Sequence, residues 1–271
     1  EVDPENEGAF EEATANLVLN HDYEELGSEL VTNGTFAANS NWDFIGTSNI
    51  SGGYGVFPDA TSSFIIQNTV VPSSVKQYKL QYEVIQTNGG NLRLSGGNSA
   101  FGSVNLTSTV GTHTFHLTSN GTVNSLQFNN KNSFIGKIDN VTLKQVDPND
   151  RWVLSNTTIE DGVLTFTDNS SAAQYALQDN VVEVGNSYEV TLTVNRTSGT
   201  LSVLFGTGGS SVSGVSSITA SGTYTFITTP LTSAQSGNGR FWAGYTSASD
   251  NFIGTVDNVT VKEYAITPLN V

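Results

Sequence analysis

Three histidines, 25 carboxylates and no cysteine are what this 271-residue chain offers for chemistry. His113 and His116 are three apart, which on a strand puts them on opposite faces, so they cannot share a metal. Neither has a local acidic partner of the kind a catalytic dyad uses, and His21 stands far off in sequence. Without cysteine there is no thiolate nucleophile, no disulfide and no cysteine zinc cluster. The chain has no Gly-x-Ser-x-Gly elbow and no P-loop. Gly206-Thr-Gly-Gly209 is followed by no helical pattern, so it reads as a turn and not as a phosphate cradle. Glycoside hydrolysis needs two facing carboxylates. The first half offers Glu29, Asp43, Asp59, Glu83 and Asp139, with Glu83 on a wet face, while Glu160 and Asp161 lie in polar loop text. The residue types point away from catalysis.

The elements that would position these groups are short strands. Val and Thr suit strands, and 27 Gly with many Asn supply turn conformations. Tyr78, Leu80, Tyr82 and Val84 alternate with Lys79, Gln81 and Glu83, and Val190, Leu192 and Val194 alternate with Thr191, Thr193 and Asn195. Such alternation marks strands with one face buried and one wet. Residues 133–144 (SFIGKIDNVTLK) and 251–262 (NFIGTVDNVTVK) agree at eight of twelve positions. Gly111-Thr-His-Thr-Phe115 matches Gly222-Thr-Tyr-Thr-Phe226; Gln67, Tyr78 and Trp42 match Gln178, Tyr188 and Trp152. A duplication with an offset of roughly 110–118 residues means tandem domains, since solenoid repeats run to about 20–50. The expected fold is all-β: two tandem antiparallel β-sandwich domains at 28–146 and 147–264, behind an acidic N-terminal arm at 1–27 and ahead of a tail at 265–271.

The net charge of −15 is concentrated in that arm, whose nine carboxylates have no Lys or Arg among them. Residues 28–146 carry +1. With no basic stripe, nucleic acid is excluded as a partner, and no apolar run approaches the roughly 18 residues of a membrane span. The arm also holds Phe10 and the run Leu17-Val18-Leu19, which give it something apolar to bury. It is therefore expected to order against a partner in a larger assembly, adding a strand to a sheet edge or lying on a basic surface.

Glu29-Leu-Val-Thr-Asn-Gly-Thr-Phe36, then Trp42, then the closing Phe-Ile-Gly-x-Ile/Val-Asp-Asn-Val-Thr motif, resemble the carbohydrate-binding-module jelly rolls of galactose-binding-like fold. In the second copy nothing just before Trp152 reads like Asn33-Gly-Thr-Phe36, so its opening is missing. The resemblance implies jelly-roll sandwiches of the kind found in polysaccharide-degrading enzymes and as surface modules of bacteriophage virions. The wording without a catalytic neighbour is closer to the second group. It implies a non-enzymatic virion structural protein (decoration, fibre or tail-associated), a homo-oligomer or present in many copies, joined through the arm to other virion proteins and open to cell-surface glycans. The alternative is a pair of carbohydrate-binding modules of a secreted bacterial surface protein or polysaccharide-degrading enzyme. No cofactor is required. A structural calcium, where the family holds one, would sit at Asp139 and Asp257, which share the strand parity of Val141 and Val259 and so aim at the core. A carboxylate that caps its own turn is the other reading of both. For sugar or partner contact the candidates are Trp42, Tyr54 and Trp242; Trp242 faces opposite to Phe241, Ala243 and Tyr245, and is exposed if those three fill the core.

Overall fold

The structure is a computed structural model that describes residues 15–95, 99–130, 133–167, 172–205, 214–231, 240–245 and 250–264; Phe10 and the tail 265–271 lie outside them. The chain divides into two compact units. One is Leu26–Pro148, and the other joins the described residues up to Glu25 with those from Asn149 onward.

The first unit runs through β1 (Leu26–Glu29), β2 (Asp43–Ile45), β3 (Asn49–Ser51), β4 (Tyr54–Phe57), β5 (Phe64–Gln67), β6 (Gln77–Thr87), β7 (Arg93–Leu94), β8 (Val104–Asn105), β9 (Gly111–Thr118), β10 (Leu126–Asn129) and β11 (Gly136–Val146). One sheet has the order β3-β4-β11-β6-β9, with β1 also on β11; the other is β2-β5-β10-β7-β8. The second unit runs through β12 (Val153–Ser155), β13 (Thr158–Glu160), β14 (Val163–Phe166), β15 (Gln174–Gln178), β16 (Ser187–Ser198), β17 (Leu201–Phe205), β18 (Gly214–Ile218), β19 (Gly222–Ile227), β20 (Phe241–Tyr245) and β21 (Ile253–Tyr264). Its sheets, β13-β14-β21-β16-β19 and β12-β15-β20-β17-β18, repeat the order of the first pair, β1 having no counterpart among these strands. All described pairings are antiparallel, and both units are jelly-roll sandwiches.

Period two explains the layers. Tyr78, Leu80, Tyr82 and Val84 of β6 are buried and meet Ile65, Leu94, Leu126 and Phe128 of the facing sheet in one core. Each large side chain so covered contributes about 1.5–3 kcal/mol. Tyr188 of β16 stacks on Phe205 of β17 at 6.4 Å in the second core.

The closing motif is a structural device in both copies. Phe134 packs edge-on to Phe57 at 5.7 Å, and Phe252 edge-on to Phe166 at 5.2 Å. The following glycine allows close approach: a Cβ on Gly136 would lie 2.3 Å from the Gln86 carbonyl, and one on Gly254 2.2 Å from that of Asn195. Asn140 and Asn258 each take φ of +50°, a left-handed conformation that asparagine tolerates, and this bulges the strand. The bulge resets the alternation, and this corrects the parity argument for the aspartates. Ile138 and Val141, three apart, both point inward, while Asp139 and Asp257 turn outward.

The second sandwich does have an opening, and it lies ahead of the first sandwich in sequence. Residues 16–23 (NLVLNHDY) take the place that 29–36 (ELVTNGTF) take in the first. Leu30 N–H donates to the Leu143 carbonyl at 3.0 Å, as Leu17 N–H does to Val261 at 2.8 Å. Glu29 Oε1 accepts from Val31 and Leu143 N–H; Asn16 Oδ1 accepts from Val18 and Val261 N–H. The Gln67 amide pairs with both backbone groups of Thr32, and the Gln178 amide with both of Leu19. The Trp42 indole N–H donates to Asn33 and that of Trp152 to Asn20, while Phe36 and Tyr23 each sit 5.1 Å from that tryptophan.

The first sandwich is thus an insert in the chain of the second. Leu26 pairs with Val146, which brings the ends of the insert together. Glu25 bonds Asn149 and, at 3.0 Å, Arg151, which closes the break in the other unit. Adjacent ends are what allow a domain to be inserted. The partner-dependent arm is accordingly corrected over residues 15–25. Val18, 2% exposed, and Tyr23 belong to the second core, while Leu17 and Leu19 point outward. The physical reason is that their backbone groups and apolar faces find partners on β21 and β15 of the same chain.

Candidate functional site

The outer face of sheet β2-β5-β10-β7-β8 carries a cleft. On β5 Ile65 points inward, leaving Phe64 outward; on β10 Phe128 points inward and Asn129 outward; on β7 Leu94 points inward and Arg93 outward. Register aligns Ile45, Phe64, Asn129 and Arg93 in one row across four strands. The 59–63 segment is tied to the end of β10 beside this row. Asn129 Nδ2 donates to the Ser63 carbonyl at 3.1 Å, and Asn130 Nδ2 to the carbonyls of Asp59 and Thr61. Asn130 Oδ1 accepts from Ser63 N–H at 2.8 Å. The result is an open cleft of about 380 Å³ lined by Ala60, Ser62, Phe64, Arg93, Asn129, Asn130 and Ser133. Its volume lies in the range of small-molecule sites, roughly 300–1,000 Å³. Its chemistry is one aromatic ring, two amides, hydroxyls and one guanidinium.

No candidate residue named from sequence lines this cleft. Trp42 and Trp152 are core residues that share one task, packing on Phe36 or Tyr23 and donating to an asparagine carbonyl. Trp242 does lie on the outer face, opposite Phe241, but it is only 8% exposed. Tyr175 packs on it at 5.8 Å, and Leu177 and Leu204 flank it in register, so the expectation of an exposed contact residue is corrected. Tyr54 is half-buried on the other sheet of the first sandwich, with Lys137 Nζ 5.6 Å from its ring.

The aspartates cap the bulges. Asp139 Oδ1 accepts from Asn140 N–H at 2.8 Å, and Asp257 Oδ1 from Asn258 N–H at 2.6 Å. Desolvation raises the Asp139 carboxyl above its ordinary range, the Asn140 hydrogen bond opposes that, and Glu83 across the strand adds to it. Each carboxylate is engaged by its own bulge. Among the described residues no three His, Asp or Glu side chains are grouped as a metal site. His113 Nε2 lies 2.6 Å from the Thr109 carbonyl, and its ring is 5.5 Å from Tyr82. No described helix is long and apolar enough to cross a membrane.

The cleft was legible only in part. Phe64, Arg93 and Asn129 come from three strands up to 65 positions apart, and nothing local marks them as neighbours. Their outward parity was the one available signal.

No protein-family model and no curated protein matches the sequence. Among solved structures, the N-terminal tandem CBM22-1–CBM22-2 domains of Paenibacillus barcinonensis Xyn10C align over 89% of this chain and 99% of theirs, at 12% identity and a TM-score of 0.29. Allantoicase from Saccharomyces cerevisiae aligns over 92% of this chain and 93% of its own, at 10% identity and 0.29. A chain of Sulfolobus turreted icosahedral virus aligns over 84% of this chain and 60% of its own, at 11% identity and 0.22. None of these values assigns the chain to a family.

Proposed function

We propose that this chain is a non-enzymatic surface protein whose first sandwich binds a saccharide in the cleft on β5, β10 and β7, and that it serves on a virion as a decoration, fibre or tail-associated component. The observation that carries the binding reading is the row Ile45–Phe64–Asn129–Arg93, where apolar surface stands beside fixed polar groups. An aromatic face covers the apolar side of a pyranose ring while amides, hydroxyls and a guanidinium take its hydroxyls, the mixture small-ligand sites use. The amides are held by the 59–63 segment, so the cleft is shaped before a ligand arrives. The virion setting is supported by the sequence resemblance to phage surface modules. The test is a glycan array probed with the intact chain and with Phe64→Ala, together with peptide mass spectrometry of purified particles. Glycan signals that fall about tenfold in the variant, and stoichiometric copies in the particle, support the reading. An array without signals ends the saccharide part. The chain found only in a secreted fraction, linked to an enzyme, replaces the virion by the secreted setting.

A further inference from the structure

We propose that the cleft of the first sandwich takes an anionic sugar, one bearing a carboxylate or a sulfate, with Arg93 as the group that reads the charge; the inference rests on the saccharide reading of the same cleft. The chain has four arginines. Three have a bonded Nε: Arg151 on Glu25 at 3.0 Å, Arg240 on Asp179 at 2.6 Å and Arg196 on the Gly199 carbonyl at 2.6 Å. Arg93 differs, since its Nε is buried and has no hydrogen-bond partner. A guanidinium whose Nε–H has no partner is matched by a planar oxyanion, which can take two parallel N–H groups at once.

Among the described residues the lining of the cleft supplies no such anion. The other residues lining the cleft are Ala60, Ser62, Phe64, Asn129, Asn130 and Ser133, none of them acidic. The carboxylate nearest in sequence to this lining, Asp59, is engaged elsewhere, accepting from Thr47 Oγ1 at 2.9 Å and Thr61 N–H at 2.8 Å. The Thr61 amide and then the Thr47 hydroxyl hold its carboxyl below the usual range. Residues 28–146 carry +1 within a chain of −15, so an anion approaching this sandwich meets no local excess of negative charge. Charges farther off than about 10 Å are largely screened at ordinary salt.

The second sandwich provides an internal comparison. Its matching row reads Ser155, Tyr175, Gly244 and Ser202, with Ser202 where the first has Arg93. An aromatic residue is kept in this row and the cation is not, so the charge reading is assigned to the first sandwich.

The experiment uses the intact chain and three tetrasaccharides on one skeleton: α-1,4-linked galacturonate, the same molecule with its carboxylates reduced to hydroxymethyl groups, and that neutral form sulfated. By calorimetry the carboxylate or the sulfate form should bind about tenfold more tightly than the neutral one, and whichever does so names the anion. The preference should shrink between about 50 and 500 mM salt. Arg93→Gln should abolish the preference, so that the variant binds the acidic and neutral forms equally, and Arg93→Lys should keep part of it. In the unsubstituted chain the side-chain amide NMR signals of Asn129 and Asn130 should move with the acidic sugar, which locates the site without any variant. Equal binding of all three sugars overturns the anionic assignment and leaves the saccharide reading standing. Binding of none overturns both, and a preference that survives Arg93→Gln, or leaves both amides unmoved, removes Arg93 from the role.

Discussion

Replacing Tyr23 by Ala should destabilise the second sandwich and leave the first unchanged, although Tyr23 precedes the whole of the first in sequence. The Tyr23 side chain is fully buried, and its ring lies 5.1 Å from Trp152. Truncating a core aromatic costs about 3–5 kcal/mol. For a domain of roughly 150 residues, at about 2.1 cal/mol/K of unfolding entropy per residue, that is a fall of about 10–15 °C in Tm. Calorimetry should then show one transition moving and one staying. Native-state hydrogen exchange assigns it: the amides of Leu17, Val259 and Val261, bonded within or across the opening segment, should lose protection, and those of Leu30, Val141 and Leu143 should keep theirs. Phe36→Ala should give the mirror image, because Phe36 holds the corresponding place against Trp42. If Tyr23→Ala weakens the first set of amides, or weakens both sets equally, the opening segment does not belong to the second sandwich and the insertion is wrong.

Tyr23→Phe should stabilise the second sandwich by about 1 kcal/mol, since the Tyr23 hydroxyl is buried without a partner and the first sandwich uses Phe36 there; a lower Tm would mean that the hydroxyl is bonded. Gln178→Ala should cost about 1–3 kcal/mol by leaving both backbone groups of Leu19 unmatched, measured as a lower urea midpoint. Asp139→Asn should raise stability at pH 7 by on the order of 0.3 kcal/mol, screened because the group is largely exposed. The sign follows from a carboxyl raised by desolvation: its contribution to stability is complete below about pH 4 and is lost as pH rises through the folded value, so the variant's advantage should vanish on acidification. A loss of stability in that variant, or a Tm lowered by EDTA, would support the calcium reading. Trp242→Ala should lower the Tm of the second sandwich, at a cost of about 3 kcal/mol; an unchanged Tm would return Trp242 to the surface.

The duplication, the all-β class and the inward faces of β6 and β16 were legible because strand parity is a local property: Tyr78, Leu80, Tyr82 and Val84 need only their own neighbours in sequence to declare a buried face. The closing motif was legible as a motif, but its parity was not. One left-handed asparagine, Asn140, moves the carboxylate before it to the wet side, and no composition rule announces that step. Residues 16–23 share Leu, Val and Asn with 29–36 at equal spacing, so the second opening was written in the sequence, but on the far side of a 123-residue insert. Only the pairing of Leu17 and Asn16 with Val261 decides which sandwich it completes, because hydrogen-bond partners in a sheet are chosen by register in space and not by distance along the chain. The cleft is decided in the same way: Phe64, Asn129 and Arg93 become one surface through cross-strand register, a property of the assembled sheet that none of the three segments possesses alone.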